Sequence, residues 1–344
     1  MPWTKVLVEQ QEARLDQSVG EGKRVLGYAE AIREAFSQAL EADDSAYIMG
    51  QGVDDPSGMF GTTVGLQQKF GCQRVFDTPL SENGLMGVAV GSAITGSRPI
   101  YIHNRPDFLF LAMDQIVNHA SKWYYMFGGQ GNVPLVVWSV IGRGWGSASQ
   151  HSQAPHSFFM HVPGLKLVMP STAYDAKGLL LESIADRNPV IIIEHRWLLR
   201  HQGYVPEKMY RIPFGKGIIR RKGTDVTIAG VSQMIIEAQT AANELEKQGV
   251  SAEVIDFRTL KPWDKDLLFA SLQKTGRLIL VDNGWKTGGA TAEIAATVVE
   301  EAFDLLRAPI KRVSCPDLPT PAGYTLEQAY YPGAQNIKAA VLSI

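Results

Sequence analysis

Apolar positions along this chain switch repeatedly between a helical period and short unbroken runs. Ala29, Ile32, Phe36 and Leu40 recur at helical spacing and predict a helix over Gly27–Ala42. The run Ala46–Gly50 then has the size of a buried strand and ends on glycine. Leu85–Ile94 is small and apolar all round, as expected for a helix packed deep in a core. Further strands are predicted at Pro99–Ile102, Leu135–Val140, Lys166–Met169 and Val190–Glu194. A long helix is predicted at Asp107–Phe127 and another at Ala173–Ala185. Strands alternating with helices predict a parallel sheet covered on both faces.

The pattern loosens over His201–Pro213, where Gly203, Pro206 and Pro213 interrupt it, and restarts beyond. Strands follow at Val226–Val231, Ala252–Phe257 and Leu278–Asp282, with helices at Met234–Gln248, Lys265–Lys274 and Gly289–Leu306. The fold class is therefore α/β, with two three-layer domains and mostly parallel sheets. The expected division is a polar N-terminal arm over residues 1–24, a first domain over 25–204 and a second over 205–344. In such sheets ligands bind beyond the carboxyl ends of the strands, so chemistry is sought in the loops there.

Composition narrows the function classes. Hydrophobic residues make up 45% of the 344 and charged residues 20%, an ordinary globular balance. The formal net charge of −2 gives no reason to expect nucleic acid or an anionic membrane. Apolar runs such as Pro189–Ile193 are strand-sized and far below a bilayer span. Two distant cysteines, Cys72 and Cys315, argue against a disulfide framework or a cysteine zinc site, and with no signal-like start the expected location is cytoplasmic. No Gly-x-Gly-x-x-Gly follows the first strand, which removes a nicotinamide-binding dehydrogenase.

The richest segment is Phe76–Gly87. A turn with Pro79 leads into the small-residue helix, Ser81 is a candidate N-cap, and Glu82 falls in the first turn. Spacing alone favours a carboxylate that complements the helix N-terminus. The wider pattern adds to this. Asp77-Thr78-Pro79-Leu80-Ser81-Glu82-Asn83-Gly84 and Val90–Pro99 closely resemble the β subunits of 2-oxo-acid dehydrogenase E1 components, which are transketolase-like thiamine-diphosphate enzymes. So do Asp114–Asn118, Gln150–Gln153, Pro163–Lys166, Asp175–Leu179, Asn188–Val190 and Arg258–Pro262. The resemblance runs from about residue 24 to the C-terminus.

That resemblance implies a pyrimidine-binding domain followed by a transketolase C-terminal-like domain. It implies that Glu82 hydrogen-bonds the cofactor's aminopyrimidine N1′ and favours the tautomer that removes the thiazolium C2 proton. Burial beside Leu80 and Leu85 is expected to raise the carboxyl pKa, with Leu80 also against the cofactor. Phe108 matches an aromatic that stacks on the pyrimidine, although a core phenylalanine explains it equally well. His151 matches an active-site histidine, with proton transfer or acyl contact as its role. His156 is a weaker pocket candidate, and His161 reads as structural. Leu135, Ser183, Ile184, Asp186 and Asn188 match positions that hold potassium in some members; Asp186 and Asn188 also suit a simple turn before Pro189.

Two departures matter. No Gly-Asp-Gly occurs in the chain, so the magnesium and diphosphate ligands are expected on a separate α-type E1 subunit, in an α2β2 assembly. The loop His103-Asn104-Arg105-Pro106-Asp107 replaces an apolar run, and Arg143-Gly144-Trp145 is unusual in charge and bulk. Arg105 or His103 could bind an anionic or hydroxylated substrate, or Arg105 and Asp107 could form a surface ion pair. The first expectation is a β subunit that, with its α partner, decarboxylates a 2-oxo acid and passes the acyl fragment to a lipoyl group of an E2 component. The alternatives are a carboligase subunit with an aldehyde, ketone or sugar acceptor, and a non-catalytic assembly subunit, against which Glu82 and His151 argue.

Overall fold

The computed structural model describes residues 24–144 and 146–344; the expected N-terminal arm, residue 24 apart, and Trp145 lie outside the described residues. The first described element is β1 (Val25–Gly27), which pairs antiparallel with β8 (Gln202–Tyr204). A seven-stranded sheet follows in the order β12-β6-β7-β5-β4-β2-β3. Its members are β2 (Ala46–Gly50), β3 (Val75–Phe76), β4 (Arg98–His103), β5 (Val136–Ile141), β6 (Lys166–Val168), β7 (Val190–His195) and β12 (Thr259–Lys261). All neighbours are parallel except β12, which runs antiparallel to β6.

Both faces of this sheet are apolar, as a parallel sheet covered twice requires. Ile48, Ile100, Val136 and Ile192 face α1 (Tyr28–Ala42) and α6 (Ala173–Ala185). Met49, Tyr101, Val137 and Ile191 face the opposite layer, which includes α3 (Glu82–Ile94). Alternation by one residue along each strand thus assigns side chains to the two layers.

The second sheet runs β14-β13-β10-β11-β9. It contains β9 (Ile218–Arg221), β10 (Val226–Gly230), β11 (Ala252–Asp256), β13 (Leu278–Trp285) and β14 (Lys311–Cys315), with β9 antiparallel to β11. α7 (Gln233–Glu246) and α11 (Ala334–Leu342) cover one face, whereas Ala229, Ile255 and Leu280 on the other join the core that holds Met49 and Tyr101. One apolar layer therefore serves both sheets. Buried Asp175 on α6 adds an ionic link to Arg220 on β9 and to Arg258.

Most elements fall where periodicity predicts them. The expected helix over Asp107–Phe127 does not hold as one element. It is a 3-10 helix at Pro106–Ala112, a π-helical stretch at Asp114–Ala120 and α4 at Ser121–Met126. Leu109, Ala112, Ile116 and Ala120 are buried at spacings that an α-helix also satisfies, so the apolar period could not distinguish the three repeats. The helix expected over Gly289–Leu306 is α9 (Ala290–Ala302) followed by a 3-10 turn at Phe303–Leu305. β12, which leaves the second sheet to extend the first, has no counterpart in the sequence reading.

Candidate active site

The carboxyl ends of β2, β3, β4, β5 and β7 present their loops along one edge of the first sheet, where open α/β sheets place ligands. The loops after β2 and β3 are tied together, because the Gly52 amide donates to Asp77 Oδ1 at 2.7 Å. Five residues beyond Asp77, Glu82 opens α3 in a half-buried position. Ser81 occupies the N-cap position as expected, but its side chain makes no capping hydrogen bond. The first-turn amides of α3 therefore have no hydroxyl cap, and Glu82 is the acidic residue of that turn.

Tyr101 of β4 lies near Glu82. Burial pushes its phenol up to about 12, and the neighbouring carboxylate adds to the shift. Two residues on, His103 stacks obliquely on Tyr101 with ring centroids 4.3 Å apart. His103 is 4% exposed, and burial lowers its pKa to about 3. It is a neutral imidazole, so of the two candidates only Arg105 carries charge for an anionic substrate, and hydrogen bonding to a hydroxylated one is left to His103.

Phe108 is half-buried in the 3-10 helix, and His151 meets its ring edge to face with centroids 5.2 Å apart. His151 itself is exposed. Its loop is drawn in at Gly142, where a Cβ would fall 2.2 Å from the His151 carbonyl oxygen and 3.2 Å from Arg105 Nε. No larger residue fits there without moving the loop. Asp107 is buried and accepts from both the backbone amide and side-chain amide of Gln153, at 3.2 and 2.8 Å. This ties the 3-10 helix to the His151 loop and replaces the surface ion pair with Arg105 considered above. Burial raises the Asp107 carboxyl, and the bonds from Gln153 oppose that shift.

The second sheet holds this loop from the other side. The Arg143 guanidinium lies between the rings of Trp197 and Tyr331, 4.1 and 4.2 Å from their centroids, and donates to Gln233 Oε1. Ser149 Oγ donates to the Thr320 carbonyl. Neither contact is visible in the spacing of the sequence, although the bulk and charge of the segment single it out.

Leu80, His156 and the potassium-matched positions fall differently. Leu80 is 78% exposed, so this chain alone does not build the apolar enclosure expected around Glu82. His156 is wholly buried, with Nε2 2.8 Å from Asp282 Oδ1 of β13, so it joins the two sheets and reaches no open surface. The positions matched to potassium gather around the C-terminus of α6, where Arg98 already donates to the carbonyls of Ile184 and Asp186. Ser183 Oγ donates to Leu179, and the Leu135 carbonyl accepts from Val190. Asn188 Oδ1 is buried there without a hydrogen-bond partner.

Comparison with known proteins gives this geometry a family. The model of the transketolase pyrimidine-binding domain matches residues 25–202, and that of the transketolase C-terminal domain matches residues 215–337. The chain belongs to the transketolase family. This transketolase-family chain is 42% identical over 333 residues to the acetoin:2,6-dichlorophenolindophenol oxidoreductase subunit beta of Bacillus subtilis, covering 93% of the chain and 97% of the relative. It is 43% identical over 315 residues to the pyruvate dehydrogenase E1 component subunit beta of Rickettsia felis, covering 92% and 97%. The resemblance read from ordered motifs therefore holds over nearly the whole chain. A solved split-gene transketolase, an inactive beta4 tetramer, superimposes with a TM-score of 0.75 over 92% of this chain and 97% of the other. Its identity is 23%, which speaks to the transketolase fold alone. No helix among the described residues is long and apolar enough to cross a membrane.

Proposed function

We propose that the chain is the β subunit of a thiamine-diphosphate-dependent E1-type enzyme that decarboxylates a 2-oxo acid together with an α-type subunit. The observation that carries this reading is Glu82 at the start of α3, on the ligand edge of the sheet and beside Tyr101. Thiamine diphosphate, when bound, supplies the carbon nucleophile and accepts the charge left by decarboxylation. Glu82 is suited to hold a proton against the aminopyrimidine, with Phe108 packing beside the ring. His151 is exposed and held by the Gly142 loop, which suits it to exchange a proton with the reacting groups.

The partner follows from what this chain leaves open. Leu80 before α3, Val88 on it, Leu111 in the 3-10 helix and Tyr125 and Met126 in α4 are all exposed apolar residues. Exposed apolar residues of this kind suit a covering surface, and the absent Gly-Asp-Gly assigns diphosphate and magnesium ligands to the same α-type partner, in an α2β2 assembly. The reading keeps residues 25–204 as the pyrimidine half and 205–344 as the second domain. It keeps potassium as an expectation for Leu135, Ser183, Ile184, Asp186 and Asn188, supported by the unpartnered Asn188 Oδ1 and opposed by the Arg98 guanidinium on the Ile184 and Asp186 carbonyls; stabilisation against heat by potassium chloride but not sodium chloride would support it, and the complex is placed in the cytoplasm.

The acyl acceptor in this reading is the lipoyl group of an E2 component. A carbonyl acceptor is the second reading, supported by the cationic loop at Arg105. Reconstitution with the α-type subunit, followed by product analysis with and without a lipoyl domain, separates them. Acyl-lipoyl product supports the first, an acyloin the second, and no turnover of any 2-oxo acid contradicts both.

A further inference from the structure

The segment between β14 and α11, residues 316–333, meets the His151 loop at two places. Near His151, Ser149 Oγ donates to the carbonyl of buried Thr320 at 2.9 Å. Where the loop leaves β5, Tyr331 packs on the Arg143 guanidinium, which lies between it and Trp197. Trp197 Nε1 also donates to the Arg143 carbonyl at 3.1 Å, and a Cβ on Gly144 would fall 2.9 Å from the Trp197 ring. Between Thr320 and Tyr331 in the chain, α10 (Tyr324–Tyr330) carries Glu327, which is 1% exposed. Burial raises its carboxyl pKa, and the groups that oppose the rise are the backbone amides of Gly146 and Gly144 and the guanidinium of Arg143. No side chain among the described residues hydrogen-bonds either carboxyl oxygen.

Gly144 and Gly146 both take a positive φ, +74° and +64°, a conformation that glycine adopts at little cost. Amides in such a backbone can converge on an anion, and an ionised acceptor makes the stronger hydrogen bond. A carboxylate of the second domain thus acts on the backbone that leads from β5 to His151. Gly142 opens that run and crowds the His151 carbonyl, so a change of backbone there is passed to His151. The cavity that Glu327 lines, about 290 Å³ beside Arg143, Trp197 and Tyr331, includes none of Glu82, Phe108 and His151. Glu327 therefore acts through the loop and not on the reacting groups.

We infer that Glu327 is a positioning residue, which holds the Gly144 and Gly146 amides from the second domain and so sets where His151 stands in the candidate active site. The inference rests on the functional reading above for the reaction that His151 serves. The reconstituted α-type and β complex is compared as wild type, Glu327→Gln, His151→Ala and the double variant, in single turnovers so that slow variants remain measurable. Glutamine keeps the shape of the side chain and removes the charge. Glu327→Gln should slow the saturating rate of 2-oxo acid consumption by ~10-fold or more, the scale of a misplaced catalytic group. The half-saturating concentration and the cofactor C2 proton exchange should stay as in wild type. In the His151→Ala background the same substitution should cost nothing further, because a residue that acts through His151 then has nothing to place. Amide hydrogen exchange should rise in residues 144–151, and Glu327→Asp, which keeps the charge, should recover part of the rate. Glu327→Asp also goes through the same cycle if the Gln variant does not fold. A wild-type rate in the folded variant, unchanged amide exchange, or an equal loss in the His151→Ala background overturns the inference. No consumption of any 2-oxo acid by the wild-type complex defeats the functional reading instead, and the inference with it; wild-type turnover with an additive cycle defeats the positioning role alone.

Discussion

His156 Nε2 lies 2.8 Å from Asp282 Oδ1, and both side chains are sealed between the two sheets. The pair joins α5 (His156–His161), which follows the His151 loop, to β13 of the second sheet. A buried polar group that loses its partner costs about 1–3 kcal/mol. Asp282→Ala should therefore lower stability by about that amount, read as a shift in the urea unfolding midpoint with unchanged slope. A midpoint equal to wild type would remove the pair from the account of how the sheets are joined.

Arg143 gives a second test of that junction. Stacking on Trp197 and Tyr331 places one cation between two rings, each contact worth roughly 0.5–2 kcal/mol. Arg143→Met keeps much of the length but removes the charge. It should destabilise the protein by about 1–3 kcal/mol, and amide hydrogen exchange should rise in residues 142–151. Unchanged exchange there would mean that Arg143 does not hold the His151 loop.

Opposite pH dependences are expected from two buried groups. The His103 pKa falls from its usual 6.5 to about 3, so the folded protein keeps it neutral while the unfolded chain takes a proton below 6.5. Its contribution to stability is complete above pH 6.5 and is lost as pH falls toward 3. Glu194, wholly buried and bonded to Tyr28 and Trp138, is raised from 4.5 to about 8 by burial. The folded state holds that proton when the unfolded chain has released it, so stability falls as pH rises from 4.5 to 8. Each group alone sets a slope of up to about 1.4 kcal/mol per pH unit within its window. Urea unfolding from pH 5 to 8.5 should show a smaller alkaline loss for Glu194→Gln and a smaller acid loss for His103→Phe. Slopes identical to wild type would contradict these assignments.

The sequence made the two sheets legible because each strand is a short apolar run and each covering helix shows its own period. Glu82, His151, Phe108 and Arg105 were legible as residues of loops that follow strands. What could not be read was contact between distant segments. Arg196 meets Arg105 over Phe60 only because β7 and β4 flank β5, and His156 finds Asp282 only across the shared core. Leu80 reads as a core residue by type, yet it is exposed here, since burial depends on what covers the loop. The π-helical stretch at Asp114–Ala120 was hidden for a different reason: apolar spacing fixes a face and not a hydrogen-bond repeat.

Cofactor activation by Glu82 is the claim on which the functional account stands. Glutamine keeps the shape of the side chain and its hydrogen bonding but cannot share an acidic proton. The decisive measurement is the rate of hydrogen–deuterium exchange at the C2 carbon of thiamine diphosphate, followed by NMR in the reconstituted α-type and β complex. Glu82→Gln should assemble normally and slow exchange by about 10²-fold or more, the range for loss of a positioned proton-transfer group. Exchange near the wild-type rate in an assembled Glu82→Gln complex would contradict the assignment.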